Sequence, residues 1–287
     1  MSKPINILVT GADSQLGKTL REFAHLSSFN FDFMNSRKLD ITDKIALRAV
    51  MKKKDYDYCF NFAAYTNVNL AETERKKCYK VNVEAVENLA KYCYKYDVKL
   101  IHISTDYVFN GKKETPYYEM DETCPLNYYG QSKLFSEEAI EKHFFKYYII
   151  RTSWLYSKYN NNFVKTISKL AEADKPLKIV FDQIGTPTYA LDLIDFILRI
   201  AISKKNHFGL YHFSNSGSAS WYDLGKEIVK NLQINKYVMP TKSEHYEIYA
   251  TRPVYSVLSK EKAMNTFNIQ PRSWQDALAA YFMSIKK

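Results

Sequence analysis

Two residues with the right types and spacing for proton transfer are Tyr129 and Lys133, four positions apart in a segment whose pattern predicts a helix over 129–143. That spacing places both side chains on one face of the helix. A nearby ammonium stabilises a phenolate and lowers its pKa, so Tyr129 could serve as a general acid or base near neutral pH. Because the chain has 24 tyrosines, an exposed helix face with a chance Tyr–Lys pair is the alternative.

The polar end of a predicted strand supplies the third candidate. The apolar run Leu100–Ser104 predicts a strand, and Thr105 and Asp106 come directly after it. The carboxyl ends of parallel strands are where open α/β sheets bind ligands. The hydroxyl of Thr105 is suited to donate to a carbonyl oxygen and to share the proton transfer. Together with Tyr129, Thr105 predicts acid–base chemistry on a carbonyl compound.

A glycine-containing loop lies between the first predicted strand and the first helix. Gly11 and Gly17 are two of only eight glycines in the chain, and Ser14 stands at the middle position that is glycine in many such loops. Backbone N–H groups at a helix start bind anions, and glycine allows close approach of a pyrophosphate. The loop predicts a dinucleotide site, with a plain strand-to-helix turn as the alternative.

The residues after the second predicted strand indicate which dinucleotide would bind. NAD-dependent enzymes usually place a carboxylate there, on the ribose 2′-hydroxyl. Here the segment carries Arg37 and Lys38, and no carboxylate comes before Asp40. A 2′-phosphate would suit the two cations, so NADPH is favoured and NADH is the other possibility. Alternatively, Arg37 and Lys38 only begin an exposed approach to the next helix.

The elements that must position these residues alternate between strand and helix through the first half of the chain. This order predicts an α/β fold with a doubly wound (Rossmann) parallel sheet. The looser second half predicts a smaller mixed α/β substrate lobe, with helices over 160–173, 189–203, 219–232 and 273–285 and strands near 177–181, 208–213 and 254–258. We expect residues 1–153 to form the dinucleotide-binding domain, with 175–205 returning to it, and residues 154–174 and 206–287 to form mainly the substrate lobe.

Composition sets further bounds. The chain has 287 residues, 46% of them hydrophobic, and a net charge of +10. No nucleic-acid-binding motif accompanies that charge, and no apolar run is long enough for a membrane helix. The four cysteines and six histidines show no metal-ligand or disulfide spacing. The N-terminus has no secretion-signal pattern. We expect a cytoplasmic protein without a metal site, nucleic-acid partner or membrane anchor.

An ordered series of short motifs resembles the extended short-chain dehydrogenase/reductase family, and within it the dTDP-4-dehydrorhamnose reductase subfamily. The resemblance runs nearly end to end, and its order is more specific than any single motif. The motifs occur at 15–17, 39–43, 61–66, 81–82, 104–109, 129–133, 151–154, 162–163, 182–188, 252–253 and 274.

The resemblance implies a role for each matching residue. For the cofactor, the resemblance implies Ser14, Gln15 and Leu16 along the pyrophosphate, Asp40 and Ile41 near the adenine, Ala63, Ala64 and Tyr65 beyond the third strand, and Lys133 on the nicotinamide ribose. From the loop and its charges alone, Gly11, Gly17 and Arg37 are further candidates for the cofactor site. Tyr129 would be the proton donor, assisted by Lys133 and Thr105. The nucleotide-sugar residues would be Thr105, Asp106, Tyr129, Trp154 and, at the diphosphate, Arg252.

The activity implied is hydride transfer from NADPH to C4 of a nucleotide-linked 4-keto-6-deoxy sugar, giving dTDP-L-rhamnose or a close relative. One alternative is a reductase of another nucleotide 4-keto sugar. Another is a non-catalytic NADP-binding regulatory subunit, like that of methionine adenosyltransferase. Some family members dimerise through magnesium held by carboxylates, but this chain has Lys18-Thr19 and Ala190-Leu191 at those places. We expect a monomer or homodimer without a magnesium bridge.

Overall fold

A six-stranded parallel sheet forms the centre of the larger part of the molecule. The computed structural model describes residues 4–173, 175–203, 205–245 and 249–286. Its strands are β1 (Asn6–Thr10), β2 (Asn30–Met34), β3 (Tyr58–Asn61), β4 (Lys99–Thr105), β5 (Tyr147–Thr152) and β10 (Gly209–His212). They lie in the order β10-β5-β4-β3-β1-β2, and every neighbouring pair is parallel.

Helices cover both faces of this sheet. None of the helices in the described ranges is long and apolar enough to cross a membrane. In chain order they are α1 (Gln15–Phe23), α2 (Lys44–Lys53), α3 (Val68–Ala71), α4 (Arg75–Tyr79), α5 (Ala85–Lys95), α6 (Tyr128–His143), α7 (Phe163–Ala171), α8 (Ala190–Ile202), α9 (Trp221–Leu232), α10 (Glu261–Phe267) and α11 (Trp274–Ile285). Shorter turns are the 3-10 segments Ala24–Leu26, Asp106–Val108 and Ser243–His245 and the π-helical segment Lys80–Glu84.

The alternation of side chains along β1 shows how the two faces are filled. Ile7 and Val9 pack with residues of α1 and α8 in one apolar cluster. Leu8 points to the opposite face and packs with α2, α5 and α6 in another. Successive strand residues face opposite sides, so a strand covered on both faces must be apolar throughout. The predicted doubly wound sheet is confirmed.

A smaller lobe is built around its own apolar cluster. Helices α7, α9 and α11 contribute to it, with Leu224 and Trp274 among the buried side chains. Three short strand pairs accompany the helices, so the lobe mixes α and β structure. The pairs are β7 (Leu177–Val180) with β12 (Val238–Thr241), β8 (Ile184–Gly185) with β11 (Ala219–Ser220), and β6 (Leu155–Tyr156) with β9 (Thr188–Tyr189).

The structure differs from the expectations in three places. The strand Gly209–His212 pairs with β5 in the main sheet, although 206–287 was assigned mainly to the smaller lobe. The segment 254–258 is no strand, because it pairs only through single bridges at Tyr255 and Leu258. The apolar pattern over 76–96 also predicts one long helix, which the structure interrupts with the π-helical segment Lys80–Glu84.

Candidate active site

A cavity of about 650 Å³ opens at the carboxyl ends of β1, β3, β4 and β5. The chain passes from β1 to β2 on one side and then returns to β3 on the other side of β1, so the strand order reverses at β1. An open parallel sheet leaves a crevice for ligands at such a reversal. Most of the residues singled out in the sequence line this one cavity: Gly11, Ser14, Gln15, Leu16, Asp40, Ile41, Ala63, Ala64, Thr105, Asp106, Tyr129, Lys133 and Trp154.

Three of the predicted cofactor residues do not line the cavity, and two of them, Gly17 and Arg37, lie close to it in the chain. Gly17 is buried in the first turn of α1, where a Cβ would come within 2.6 Å of the Ala12 Cα. Arg37 is exposed in the turn after β2, next to Ser36, which does line the cavity. Gly17 therefore serves the close packing of α1 against Ala12, and Arg37 lies at the rim of the cavity.

Tyr65 and Arg252 also lie outside the cavity lining. The hydroxyl of Tyr65 donates to the Glu74 Oε2 at 2.9 Å. The guanidinium of Arg252 donates to the Asn69 Oδ1 at 3.3 Å, so Asn69 contacts the residue expected at the diphosphate. The sequence could not predict these directions, since both partners lie on other segments.

The glycine loop is shaped by close backbone contacts. Gly11 has φ +63°, and a Cβ on it would lie 2.4 Å from the Ala63 nitrogen, so only glycine fits. Ser14 is the N-cap of α1, and its Oγ accepts from the Gly17 N–H at 3.1 Å. The serine that replaces the usual glycine therefore caps the helix that begins beside the cavity.

The acid–base residues meet at the end of β4. Thr105 Oγ1 donates to Asp106 Oδ1 at 3.1 Å, and the Ser256 hydroxyl donates to Asp106 Oδ2 at 2.6 Å. Burial raises the pKa of Asp106 to about 7, against these hydrogen bonds, which lower it. Burial also raises the pKa of Tyr129, and a hydrogen bond with Thr105 lowers it. The pKa of Tyr129 is thus raised and not lowered as the spacing to Lys133 predicts, because burial is the largest effect and the negative charge of Asp106 adds to it.

Lys133 is buried and hydrogen-bonded to a residue on the neighbouring strand. Its Nζ lies 2.9 Å from the Nε2 of His102. Burial lowers the pKa of Lys133 to about 8, while the negative charge of Glu137 raises it. Only 2% of Lys133 is exposed, so its amino group can act on ligands only inside the cavity.

Two stacked indoles form another wall of the cavity. The rings of Trp154 and Trp221 have centroids 3.5 Å apart and planes 5° from parallel. Trp154 adopts φ +46°, which is rare for a residue with a side chain. A Cβ on Gly185 would lie 2.6 Å from the Trp154 ring, so glycine at this position makes room for the indole.

The π-helical segment carries the buried Asn82, whose side chain bonds to two other segments and is called the clamp below. Asn82 Oδ1 accepts from the Tyr65 N–H at 2.8 Å, and its Nδ2 donates to the Tyr65 carbonyl at 3.0 Å and to Ser132 Oγ at 2.9 Å. Asn82 thereby fixes the chain after β3, where Ala63 and Ala64 line the cavity, to helix α6.

Several residues near the cavity were not predicted as site residues. Asn61 and Trp221 line it, Ser256 binds Asp106, and His102 binds Lys133. Asn61 and His102 are polar residues in buried strands, and that unusual placement is a signal the sequence offers. No comparable signal marks Ser256 or Trp221.

Comparison with known proteins identifies the family. A family model for the RmlD substrate binding domain matches residues 5–286. The chain belongs to this family. It is 37% identical over 275 residues to the spore coat polysaccharide biosynthesis protein SpsK of Bacillus subtilis, covering 96% of each chain. It is 35% identical over 286 residues to a dTDP-4-dehydrorhamnose reductase of Aggregatibacter actinomycetemcomitans, covering 95% of this chain and 96% of the other.

Solved structures of the RmlD family share the whole fold. The dTDP-4-dehydrorhamnose reductase of Bacillus anthracis, in complex with NADP, superposes with a TM-score of 0.94 at 36% identity and covers 98% of this chain and 100% of its own. More distant proteins, such as the Thermus thermophilus UDP-glucose 4-epimerase at 15% identity and a TM-score of 0.83, share the architecture alone.

Proposed function

We propose that this protein reduces the C4 carbonyl of a dTDP-linked 4-keto-6-deoxy sugar with NADPH, giving dTDP-L-rhamnose or a close relative. The observation that carries the proposal is the single cavity that joins the glycine loop to Thr105, Tyr129 and Lys133. Full-length similarity to dTDP-4-dehydrorhamnose reductases supports it.

The cavity fits a dinucleotide. Its lining runs from the Asp40 end, past the glycine loop, to the buried amino group of Lys133. The close packing of Gly11 against Ala63 brings the loop beside the residues that follow β3. When bound, NADPH would supply the hydride. The residues proposed to hold it are those of the cavity lining, with Arg37 at the rim: Gly11, Ser14, Gln15, Leu16, Asp40, Ile41, Ala63, Ala64 and Lys133.

The protein's own residues would handle the proton and the developing charge. Tyr129 would protonate the oxygen at C4, and Thr105 would hydrogen-bond to that oxygen as negative charge grows on it. Lys133 would bind the nicotinamide ribose and favour the phenolate that Tyr129 leaves behind. Asp106 and Trp154 would contact the sugar, and Arg252 would turn from Asn69 towards the diphosphate.

A different dTDP 4-keto sugar is the second candidate substrate. A protein of Streptomyces antibioticus, 34% identical over 280 residues, is a probable dTDP-4,6-dihydroxy-2-methyloxan-3-one 4-ketoreductase. The same acid–base residues would serve that substrate, and the walls of the sugar pocket would decide between them.

The domain roles, location and assembly are part of the same proposal. Residues 1–153 with 175–205 would bind the cofactor, and residues 154–174 and 206–287, apart from β10, would form the substrate lobe. The protein would act in the cytoplasm as a monomer or homodimer. Lys18 donates to Asn160 at 2.7 Å, which fits an assembly without a magnesium bridge at that place.

The deciding experiment measures oxidation of NADPH and of NADH with dTDP-4-keto-6-deoxyglucose and a 3,5-epimerase. We expect NADPH-dependent turnover that Tyr129→Phe lowers by roughly 10²–10⁴-fold. Tyr128→Phe is the matched control, because Tyr128 precedes Tyr129 on α6 but does not line the cavity. Tight NADPH binding without turnover of any dTDP 4-keto sugar would refute the reductase and favour a regulatory NADP-binding subunit.

A further inference from the structure

A row of buried polar side chains crosses three strands beneath the cavity. Thr10 pairs in register with Asn61, and Asn61 pairs with His102. Register partners on parallel strands point to the same face of the sheet. Thr10 Oγ1 lies 2.6 Å from Asn61 Oδ1, and Asn61 Nδ2 lies 2.9 Å from His102 Nδ1. All three residues are at most 1% exposed.

The row ends on the amino group of Lys133. His102 Nε2 lies 2.9 Å from Lys133 Nζ and 3.1 Å from Ser136 Oγ. The register partner of His102 on the next strand is Ile149, so the polar row goes no further in that direction. His102 is therefore the link between the sheet and the buried lysine.

Counting hydrogens along the row gives two arrangements. A neutral imidazole has one N–H and one acceptor nitrogen, and an amide nitrogen only donates. With Asn61 Nδ2 facing His102 Nδ1, the ring hydrogen lies on Nε2. Ser136 Oγ, 3.1 Å away, can accept that hydrogen. An ammonium 2.9 Å from the same nitrogen would then face an N–H and has no lone pair to accept from it, so this arrangement suits a neutral amine on Lys133.

The second arrangement suits the charged lysine. The ring hydrogen then lies on Nδ1, and Nε2 accepts from the Lys133 ammonium. The Asn61 amide must turn over and present its oxygen to Nδ1. Thr10 allows both orientations because a hydroxyl can donate or accept.

We propose that His102 is a positioning residue for Lys133, and that its tautomer changes together with the charge on Lys133. Because Lys133 acts in the reduction only if the proposed function is correct, the kinetic part of this inference rests on that function. The geometric part does not.

The other titratable groups near Lys133 are bonded elsewhere and do not position its amino group. Glu137 lies one turn further along α6, but its carboxylate is held by Arg151, with 2.6 Å between Nη2 and Oε2. The Cys78 thiol on α4 donates to Ser132 Oγ at 3.3 Å, and burial raises its pKa. In the described residues, the hydrogen-bond partner found for the Lys133 amino group is His102.

The first experiment compares pH profiles of kcat/KM for the reduction. His102→Leu removes the acceptor for the ammonium, so we expect the alkaline limb to move about one pH unit lower, which is a loss of about tenfold above that limb. His102→Gln restores an acceptor and should lie closer to the wild type. His212→Leu is the control, because His212 is equally buried but binds the Tyr117 carbonyl. An unchanged limb in His102→Leu, or the same shift in His212→Leu, would overturn the proposal.

The second experiment observes the histidine tautomers of the wild-type protein directly, without substrate and without a variant. Nitrogen-15 spectra of the wild-type histidine rings, recorded from about pH 6 to about pH 10, report which nitrogen carries the hydrogen. We expect the His102 ring to stay neutral and its hydrogen to move from Nδ1 to Nε2 as Lys133 loses its charge. A single tautomer across the range would refute the coupling. If the wild type reduces no dTDP 4-keto sugar, the proposed function fails while these spectra still decide the coupling.

Discussion

The indole of Trp154 lies flat against that of Trp221, with 3.5 Å between ring centroids. Trp221 in turn is fixed by a hydrogen bond from its Nε1 to Gln183 Oε1 at 3.2 Å. The stack holds Trp154 in its left-handed backbone conformation, at φ +46°. Trp221 thus supports the pocket wall that is proposed to border the sugar.

Trp221→Ala should therefore weaken sugar binding without affecting the cofactor. An aromatic pair contributes about 0.5–1.5 kcal/mol beyond its buried area, so we expect KM for the nucleotide sugar to rise by a factor of about 2 to 12. The Kd for NADPH should stay constant, which fluorescence titration measures. Trp274→Phe, in the core of the smaller lobe, is the control for general loss of aromatic packing. An unchanged KM in Trp221→Ala would show that the stack has no part in sugar binding.

The turn after β2 should set the preference between NADPH and NADH. Lys38 N–H bonds to Asn35 at both its carbonyl and its Oδ1, at 3.0 and 3.1 Å, so the backbone around Arg37 is fixed. Loss of a charge-assisted hydrogen bond to the 2′-phosphate costs about 1.5 kcal/mol, so Arg37→Ser should weaken NADPH binding about tenfold. NADH binding should not change. Arg48→Ser, an exposed cation on α2, controls for net charge, and equal losses in both variants would contradict the assignment.

Asp106 should make stability depend on pH. Its pKa is about 7 in the folded protein and 3.8 without burial, so between these values the folded state holds a proton that the unfolded state has lost. Stability from this group is present at low pH and is lost as pH rises towards 7. Relative to Asp106→Asn, the unfolding free energy of the wild type should fall by roughly 3–4 kcal/mol between pH 4 and 8. Urea titrations of both proteins at each pH measure this, and parallel curves would contradict it.

Removing one partner of the buried ion pair between Glu137 and Arg151 should lower the free energy of unfolding strongly. Both residues are 3% exposed, and Arg151 Nε also donates to Glu137 Oε1 at 3.0 Å. Glu137→Met leaves the guanidinium uncompensated and should cost about 3–5 kcal/mol, whereas Glu137→Met with Arg151→Met should cost clearly less. Asp195→Ala, in an exposed pair with Arg199, should change stability by about 0.5 kcal/mol or less. A double variant as unstable as the single one would refute this reasoning.

The parts of the site that the sequence could predict are those that follow from local order along the chain. Thr105 ends a strand and Tyr129 lies in the first turn of a helix, so their meeting at the carboxyl ends of the strands follows from topology. The contact between His102 and Lys133 depends on strand register and on the angle at which α6 crosses β4. The hydrophobic pattern of the sequence predicts neither of these. Tyr65 and Arg252 turn towards Glu74 and Asn69, and only tertiary packing decides such directions.

The same limit explains the differences in the fold. The segment 254–258 is rich in β-branched and aromatic residues, which are typical of strands, but it meets only single partners at Tyr255 and Leu258. Hydrophobic pattern predicts burial, whereas a strand also needs a neighbouring edge with free backbone groups. The strand at Gly209–His212 found such an edge on β5, which no local feature of the sequence indicates.

The π-helical segment Lys80–Glu84 shifts the phase of a long helix. An i→i+5 turn accommodates one residue more than an α-turn. The residues before it, such as Cys78, and those after it, such as Leu89, can therefore each meet a different buried surface while Asn82 faces inwards. Removing a single residue here would leave the amino-acid composition almost unchanged, yet the segment would close into ordinary α-turns and lose the extra residue that lets Asn82 face inwards. In this chain, the spacing of the clamp is thus encoded by the length of the segment as well as by its residues.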